Sequence, residues 1–386
     1  MSTENSDVKV NDEKIYFHNL DFLRFVACFA VLLGHGIGRP LPKLCAFPLY
    51  QKFIGLISNG GLAVSFFFVL SGFLITYLLL KEEGSASNIN IKAFYVRRGL
   101  RIWPLYFFVV IFGFYIYPGL KHLVGIDSTV IPNAAAYYFS FLTNFDSIRL
   151  QHLGVLETSS PEMLAVTWSV AIEEQFYLFW PLFFAFLNRK YFVHVFYFVI
   201  LGSTAFRYFH YPDYATLYFH SLSVASDLAL GGLFAYHTIN SQGFRILFYN
   251  LPKTLIAGVY IMGLSWLMFY SDFFVGNKTF FSLARIISEL FFAFVIVEQN
   301  IAKQSVVKFS EFKFISSLGK YTYGLYLLHP IGIQIVIVAF KVMKISESLT
   351  SDFAYGIGAL VISVVMALAS YTYFETPFLR LKRKFN

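Results

Sequence analysis

The chain has 386 residues, 57% of them hydrophobic and only 13% charged, with 48 Phe and 26 Tyr. A soluble domain carries about twice that share of charge, so this composition excludes a soluble globular protein and points to a chain threaded repeatedly through a lipid bilayer. In that setting the net charge of +8 belongs to cytoplasmic loops and implies no nucleic acid.

Residues 1–19 are a polar tail without a cleavable signal pattern, so the first helix is expected to remain as an anchor. Ten apolar runs follow, at 20–37, 57–80, 98–117, 164–187, 191–208, 217–237, 253–271, 279–297, 320–340 and 354–376. Each is close to the roughly 20 residues that a spanning helix needs. The stretch Ala134–Phe145 is too short to span and reads as re-entrant or interfacial. With the N-terminus in the cytoplasm, 19 of the 30 Lys and Arg fall on cytoplasmic connections and 9 on the opposite side, Arg24 and Arg285 lying within helices. That asymmetry puts both termini inside. The expected fold is therefore all-α, a polytopic transmembrane helical bundle of about ten spans. It comprises a cytoplasmic N-terminal tail (1–19), a membrane domain (20–378) and a short basic cytoplasmic tail (379–386). The longest connection, 118–163, faces outward and is either a lining for an acceptor site or an ordinary linker. Cys28 and Cys45 are the only cysteines, too few for a disulfide framework or a metal cluster.

The first span, Leu20 to His35, carries Arg24 and His35 eleven positions apart. At about 100° per residue both fall on one helical face, roughly 16 Å apart along the axis. A charged and a titratable group on one stripe of a membrane helix are costly to insert, which marks a functional candidate. A neutral imidazole suits a general base acting on a hydroxyl, although a lone His at a helix end is more often structural. Next, Arg97, Arg98 and Arg101 cluster at the start of the third span, with Arg98 and Arg101 three apart and Arg97 and Arg101 four apart. They either hold phosphates by forked hydrogen bonds or anchor the span at lipid headgroups. In the fourth span, Glu173 and Glu174 follow Thr167-Trp168-Ser169. Intramembrane carboxylates need a partner, a proton or a wet cavity. Glu173 is the candidate to orient His35 or receive a proton, against a plain buried ion pair. Arg285 and Glu289 read as a mutually satisfied structural pair, and His329-Pro330 and Glu375 as architecture. No P-loop, GxSxG elbow or HExxH site is present.

These segments resemble the acyltransferase 3 family of membrane O-acyltransferases. The matching phrases are LDFLR with His35, FFFVLSGFLI (66–75), RRGLRIWP (97–104), TWSVAIEEQFYLFWP (167–181), SDLALGGLFA (226–235), YTYGLYLLHP (321–330) and FETPFLRL (374–381), in order across the spanning region. The resemblance implies transfer of an acyl group, usually acetyl, from cytoplasmic acyl-CoA to a hydroxyl of a carbohydrate or lipid-linked glycan. O-antigen of lipopolysaccharide is a typical acceptor. It implies a bacterial inner membrane and no metal. It assigns the Arg-x10-His motif to Arg24 and His35, the acid after Trp-Ser to Glu173, and donor handling to Arg98 and Arg101, with Arg97 beside them. His35 then serves as general base or carries the acyl group itself. Relatives commonly have an Arg two residues before the acid at Asp227; here that position is Ala225, which leaves the partner of Asp227 open. Some relatives continue into a soluble SGNH-type domain, whereas this chain, ending at Asn386, reads as a stand-alone transferase. A proton-coupled secondary transporter or glycan flippase is the competing class, and a regulatory scaffold a third. The acceptor, acyl length and oligomeric state are not legible.

Overall fold

The computed structural model describes residues 18–37, 47–57, 59–86, 89–123, 125, 134–156, 162–269, 277–345 and 348–385. The tail 1–17, Cys45 and parts of the connection 118–163 lie outside the described residues. Among those described, all regular structure is helical.

Ten long helices organise the described residues: α1 (His18–Leu32), α2 (Gly60–Ala86), α3 (Ile91–Ile111), α4 (Thr167–Phe186), α5 (Phe192–His210), α6 (Ser221–Asn240), α7 (Lys253–Phe269), α8 (Lys278–Ile301), α9 (Thr322–Val342) and α10 (Leu349–Ala369). Their starts follow from local chemistry. Asn90, Ser241, Asn277 and Ser348 turn side-chain oxygens onto backbone N–H groups of the first turn of the helices they precede, satisfying donors that a helix start leaves without partners. Each predicted apolar run coincides with helix. Among the described residues, six helical stretches are long and apolar enough to cross a membrane, or seven counting the pair Gln242–Tyr249 and α7, which meet at 91°. The long helices that fall short of that test carry the polar groups. α1 holds Asp21 and Arg24, α4 holds Glu173 and Glu174, and α6 buries Ser223, Ser226 and Asp227. Ala134–Phe145, expected as a non-spanning stretch, is two short helices, Ala135–Phe139 and the beginning of Thr143–His152.

The centre of the bundle is the crossing of α2 and α6, where glycine sets the distance. A Cβ on Gly72 falls 1.9 Å from the carbonyl oxygen of Leu228, and one on Gly231 falls 2.0 Å from that of Val69. Only hydrogen fits there, so the two backbones touch, as small-residue interfaces in membranes allow. A buried polar knot ties the crossing to α8 and α5. Arg285 donates to both oxygens of Asp227 (3.2 and 2.5 Å), and Ser65 donates to the same carboxylate (2.7 Å). Asp227 therefore finds its arginine on another helix, and the Arg285–Glu289 contact is the longer one, at 3.6 Å. Arg207, counted above among outer connections, is instead buried inside α5 at 1% exposure. It donates to Ser203, Ser226 and the carbonyls of Ser223 and Ser282.

Candidate functional site

α1 ends in a widened turn, Leu33–Ile37, that contains His35. Such turns shift the 100° register, and they recur at functional sites. Arg24 and His35, at opposite ends of this helix, have different neighbours. Arg24 pairs with Asp21 at 2.5 Å and lines a cavity. His35 Nδ1 lies 2.9 Å from His329 Nε2, with the rings stacked at 5.2 Å between centroids. Glu173, the expected partner of His35, is bonded elsewhere: it accepts from Tyr177 at 3.3 Å. The hydroxyls of Tyr177 and Ser71 are hydrogen-bonded to each other.

The cavity encloses about 640 Å³ between α1, α2, α3, α4, α9 and the end of the chain. Arg24, Arg98, Arg101 and Lys382 line it, and Glu173 is the one carboxylate in its lining among the described residues. Arg24 is already paired with Asp21, so Arg98, Arg101 and Lys382 supply the excess of positive charge in the lining. Arg98 and Arg101 make no hydrogen bond or ion pair among the described residues; the Arg98 guanidinium lies over the rings of Phe94 and Tyr177 at 5.7 and 5.4 Å. Their donor edges are thus available for forked contacts to phosphate or carboxylate. Arg97 does not line the cavity. It donates to Glu82 and to the carbonyl of Phe385, both at 2.9 Å, and clamps the chain terminus to the α2–α3 corner. Sequence reasoning missed Lys382, which the helix Thr376–Lys382 delivers to the cavity; the basic run at 380–384 was the available signal.

The polar wall of the cavity leads towards the histidines. Ser169 and Tyr326 both line it, and their hydroxyls are 2.6 Å apart. The Tyr326 carbonyl is 2.8 Å from His329 Nδ1. Tyr326 therefore belongs at once to the cavity and to the unit that holds His35. His35 itself is not part of the lining and keeps an accessible face. Opposite, Gln175 donates to Asn144 and to the carbonyl of Phe141, and Asn144 donates to Ser221 and the carbonyl of Phe219. This network fixes the segment 134–156 against α4 and α6. No group of three or more potential metal ligands occurs among the described residues.

A helical bundle with segments long and apolar enough to cross a membrane, a cationic cavity and a histidine pair beyond its polar wall make the class that of a multi-pass membrane protein. The profile of the acyltransferase 3 family, an acyltransferase domain, matches residues 17–369, and the chain belongs to that family. It is similar to the peptidoglycan O-acetyltransferase OatA of Listeria monocytogenes, 25% identical over 386 residues that cover 94% of this chain and 56% of the relative. It is also similar to the O-acetyltransferase OatA of Staphylococcus aureus, 27% identical over 376 residues, covering 94% of this chain and 57% of the relative. The chain thus spans little more than half the length of these curated relatives. No solved structure matches it.

Proposed function

We propose that the protein is an integral-membrane O-acetyltransferase that takes acetyl-CoA from the cytoplasm and acetylates a hydroxyl of a carbohydrate at or beyond the membrane. The relatives point to a cell-envelope polysaccharide, such as peptidoglycan, as the kind of acceptor. The observation that carries this reading is the cavity in which Arg98 and Arg101 stand without an acidic partner, joined by Lys382. The 3′-phosphate and pyrophosphate of a CoA thioester are the anions that such a cluster suits. Arg24 comes from the start of α1 and Lys382 from the chain's last helix, which supports a shared side for both termini. On this reading that side is cytoplasmic, the ten long helices span, and the membrane is a bacterial inner membrane.

In the proposed reaction His35 takes the proton of the acceptor hydroxyl as its oxygen attacks the thioester carbonyl. The C–S bond then breaks, and the leaving thiolate of CoA receives that proton. Transfer by way of an acyl-His35 intermediate uses the same residues. Glu173 contributes cavity charge rather than orienting the base, since its hydrogen-bond partner is Tyr177 and not His35. The test is acetyl-CoA binding and CoA release by the full chain in nanodiscs, with a solubilised glycan as acceptor. Arg98→Gln with Arg101→Gln is expected to abolish donor binding at concentrations that saturate the unaltered protein, and His35→Ala to leave binding intact while stopping release. Full binding by the double variant sinks the donor assignment; full release by His35→Ala sinks the base.

A further inference from the structure

The hydrogen-bond inventory around His329 determines which nitrogen of His35 can act. His329 is wholly buried (0% exposed). Its Nδ1 faces two main-chain carbonyls of its own helix, Tyr326 at 2.8 Å and Leu325 at 3.2 Å. A carbonyl only accepts, so Nδ1 of His329 carries a proton. The following residue explains why the contact forms. Pro330 has no N–H, so the carbonyl four residues earlier, that of Tyr326, lacks its helical donor. The imidazole of His329 supplies the missing one.

A second proton on His329 would place a full charge in a site that offers only carbonyls, aromatic rings and another imidazole, at a heavy desolvation cost. Its Nε2 is therefore a lone pair, and it faces His35 Nδ1 at 2.9 Å. Two lone pairs do not bond, so His35 Nδ1 is the donor. In the neutral state the lone pair of His35 then sits on Nε2, which has no hydrogen-bond partner among the described residues and lies on the side away from His329.

We propose that His329, locked by Pro330, is a positioning residue that holds His35 as the Nδ1–H tautomer and makes Nε2 the atom that takes the acceptor's proton. This rests on the reading of His35 as the base. The same contact serves the reacting state. Once Nε2 is protonated, Nδ1–H still donates to His329, so the imidazolium keeps its partner and its orientation. The logic is that of the aspartate in a hydrolase triad, with a neutral acceptor replacing the carboxylate. A neutral acceptor avoids fixing a permanent negative charge in the bundle.

The first measurement needs no activity: nitrogen NMR of the full chain in lipid, labelled with [15N]histidine and assigned through His35→Ala and His329→Gln. The expected spectrum gives His35 a protonated Nδ1 and an unprotonated Nε2. A His35 protonated at Nε2 overturns the proposal, whatever the kinetics. The second uses acetyl-CoA as donor probe. His329→Leu removes the acceptor and frees the ring to adopt the wrong tautomer; kcat for CoA release is expected to fall about tenfold or more, towards the 10²–10⁴-fold that general-base catalysis supplies. KM for acetyl-CoA stays unchanged. His329→Gln, whose amide oxygen can accept from His35, restores most of the loss. Unchanged kcat in the leucine variant, or equal loss in both variants, overturns the positioning role. Full activity of His35→Ala instead rejects the base assignment and leaves the tautomer result standing.

Discussion

Lys382 gives the cleanest test of the donor site. It lines the cavity, has no carboxylate partner among the described residues and belongs to the last helix of the chain, so truncating it orphans no buried acid. Arg24 is less suitable, because it is ion-paired with Asp21, only 4% exposed, and its removal disturbs that buried acid as well. A hydrogen bond to a charged group contributes about 1.5–3 kcal/mol. Lys382 is partly reached by solvent, which argues for the lower end, about 1.5 kcal/mol. At about 1.4 kcal/mol per decade, Lys382→Ala is expected to raise KM for acetyl-CoA roughly tenfold, and Lys382→Glu about a further tenfold. kcat stays level, since the contact is to phosphate and does not change as the thioester reacts. The defect of the glutamate variant should shrink as salt rises. Arg380→Ala is the control: it lies two residues earlier and is exposed. Steady-state CoA release in nanodiscs reads all three variants. If Lys382→Ala matches Arg380→Ala, or if its loss falls on kcat, the phosphate assignment of this cavity is wrong.

Glu173→Gln removes the one carboxylate in the lining beside Arg98, Arg101 and Lys382 among the described residues; KM for acetyl-CoA is expected to fall by about two- to fivefold, the scale of a partly solvated charge pair, with kcat nearly unchanged. A collapse of kcat would return Glu173 to the chemistry. Asp227→Asn breaks a buried pair and leaves Arg285 short of charge, costing about 3 kcal/mol in thermal or denaturant unfolding followed by tryptophan fluorescence. Arg285→Gln on top of it should recover part of that loss, and strict additivity would count against the pair. Gly231→Ala puts a methyl group 2.0 Å from the Val69 carbonyl; the expected cost is at or above the 1–3 kcal/mol of ordinary overpacking, and an unchanged melting temperature would refute backbone contact at the crossing. Tyr326→Phe deletes the hydroxyl's 2.6 Å hydrogen bond with Ser169 and its longer one to the Val166 carbonyl, about 0.5–1.5 kcal/mol for the former, from the wall shared by cavity and histidines. Acceptor-independent CoA release is expected to rise a few-fold, and a fall would mean that the hydroxyl serves the reaction itself.

Hydropathy found the helices because a bilayer leaves few alternatives: a backbone in hydrocarbon must satisfy itself, and every apolar run becomes helix. The periodic argument on Arg24 and His35 had no sight of the widened turn Leu33–Ile37 that carries His35; nothing in LGHGI announces it. Partner choice was equally hidden. Arg285 lies four residues from Glu289, the local rule for a helical pair, yet its closer contact is Asp227 on α6. Local spacing says which groups can meet on one helix and is silent on which helices cross. Arg97, Arg98 and Arg101 looked equivalent in sequence, and only the packing of α2 and the chain's end against α3 separates the clamp from the two that face the cavity. His329-Pro330 held more information than its reading as architecture allowed. A proline frees the carbonyl four residues back, and a histidine just before it is placed to use that carbonyl.

On the proposed reading, the arrangement separates two demands that conflict in a single pocket. Phosphates need exposed, unpaired guanidinium groups, whereas a general base must stay neutral until it takes its proton. Four cations beside an imidazole would disfavour its protonation at the moment the proton is due. Here Arg98, Arg101 and Lys382 line the cavity with no ion pair among the described residues, and His35 is outside the lining, reached through Tyr326 and His329. A long, flexible donor arm suits that geometry: its charged end can remain at the cations while its reactive end passes the Ser169–Tyr326 hydrogen bond. A short acyl donor such as acetyl phosphate has no such reach. Its anion and its carbonyl are two bonds apart, so it can occupy the cavity and inhibit without presenting its acyl group to His35.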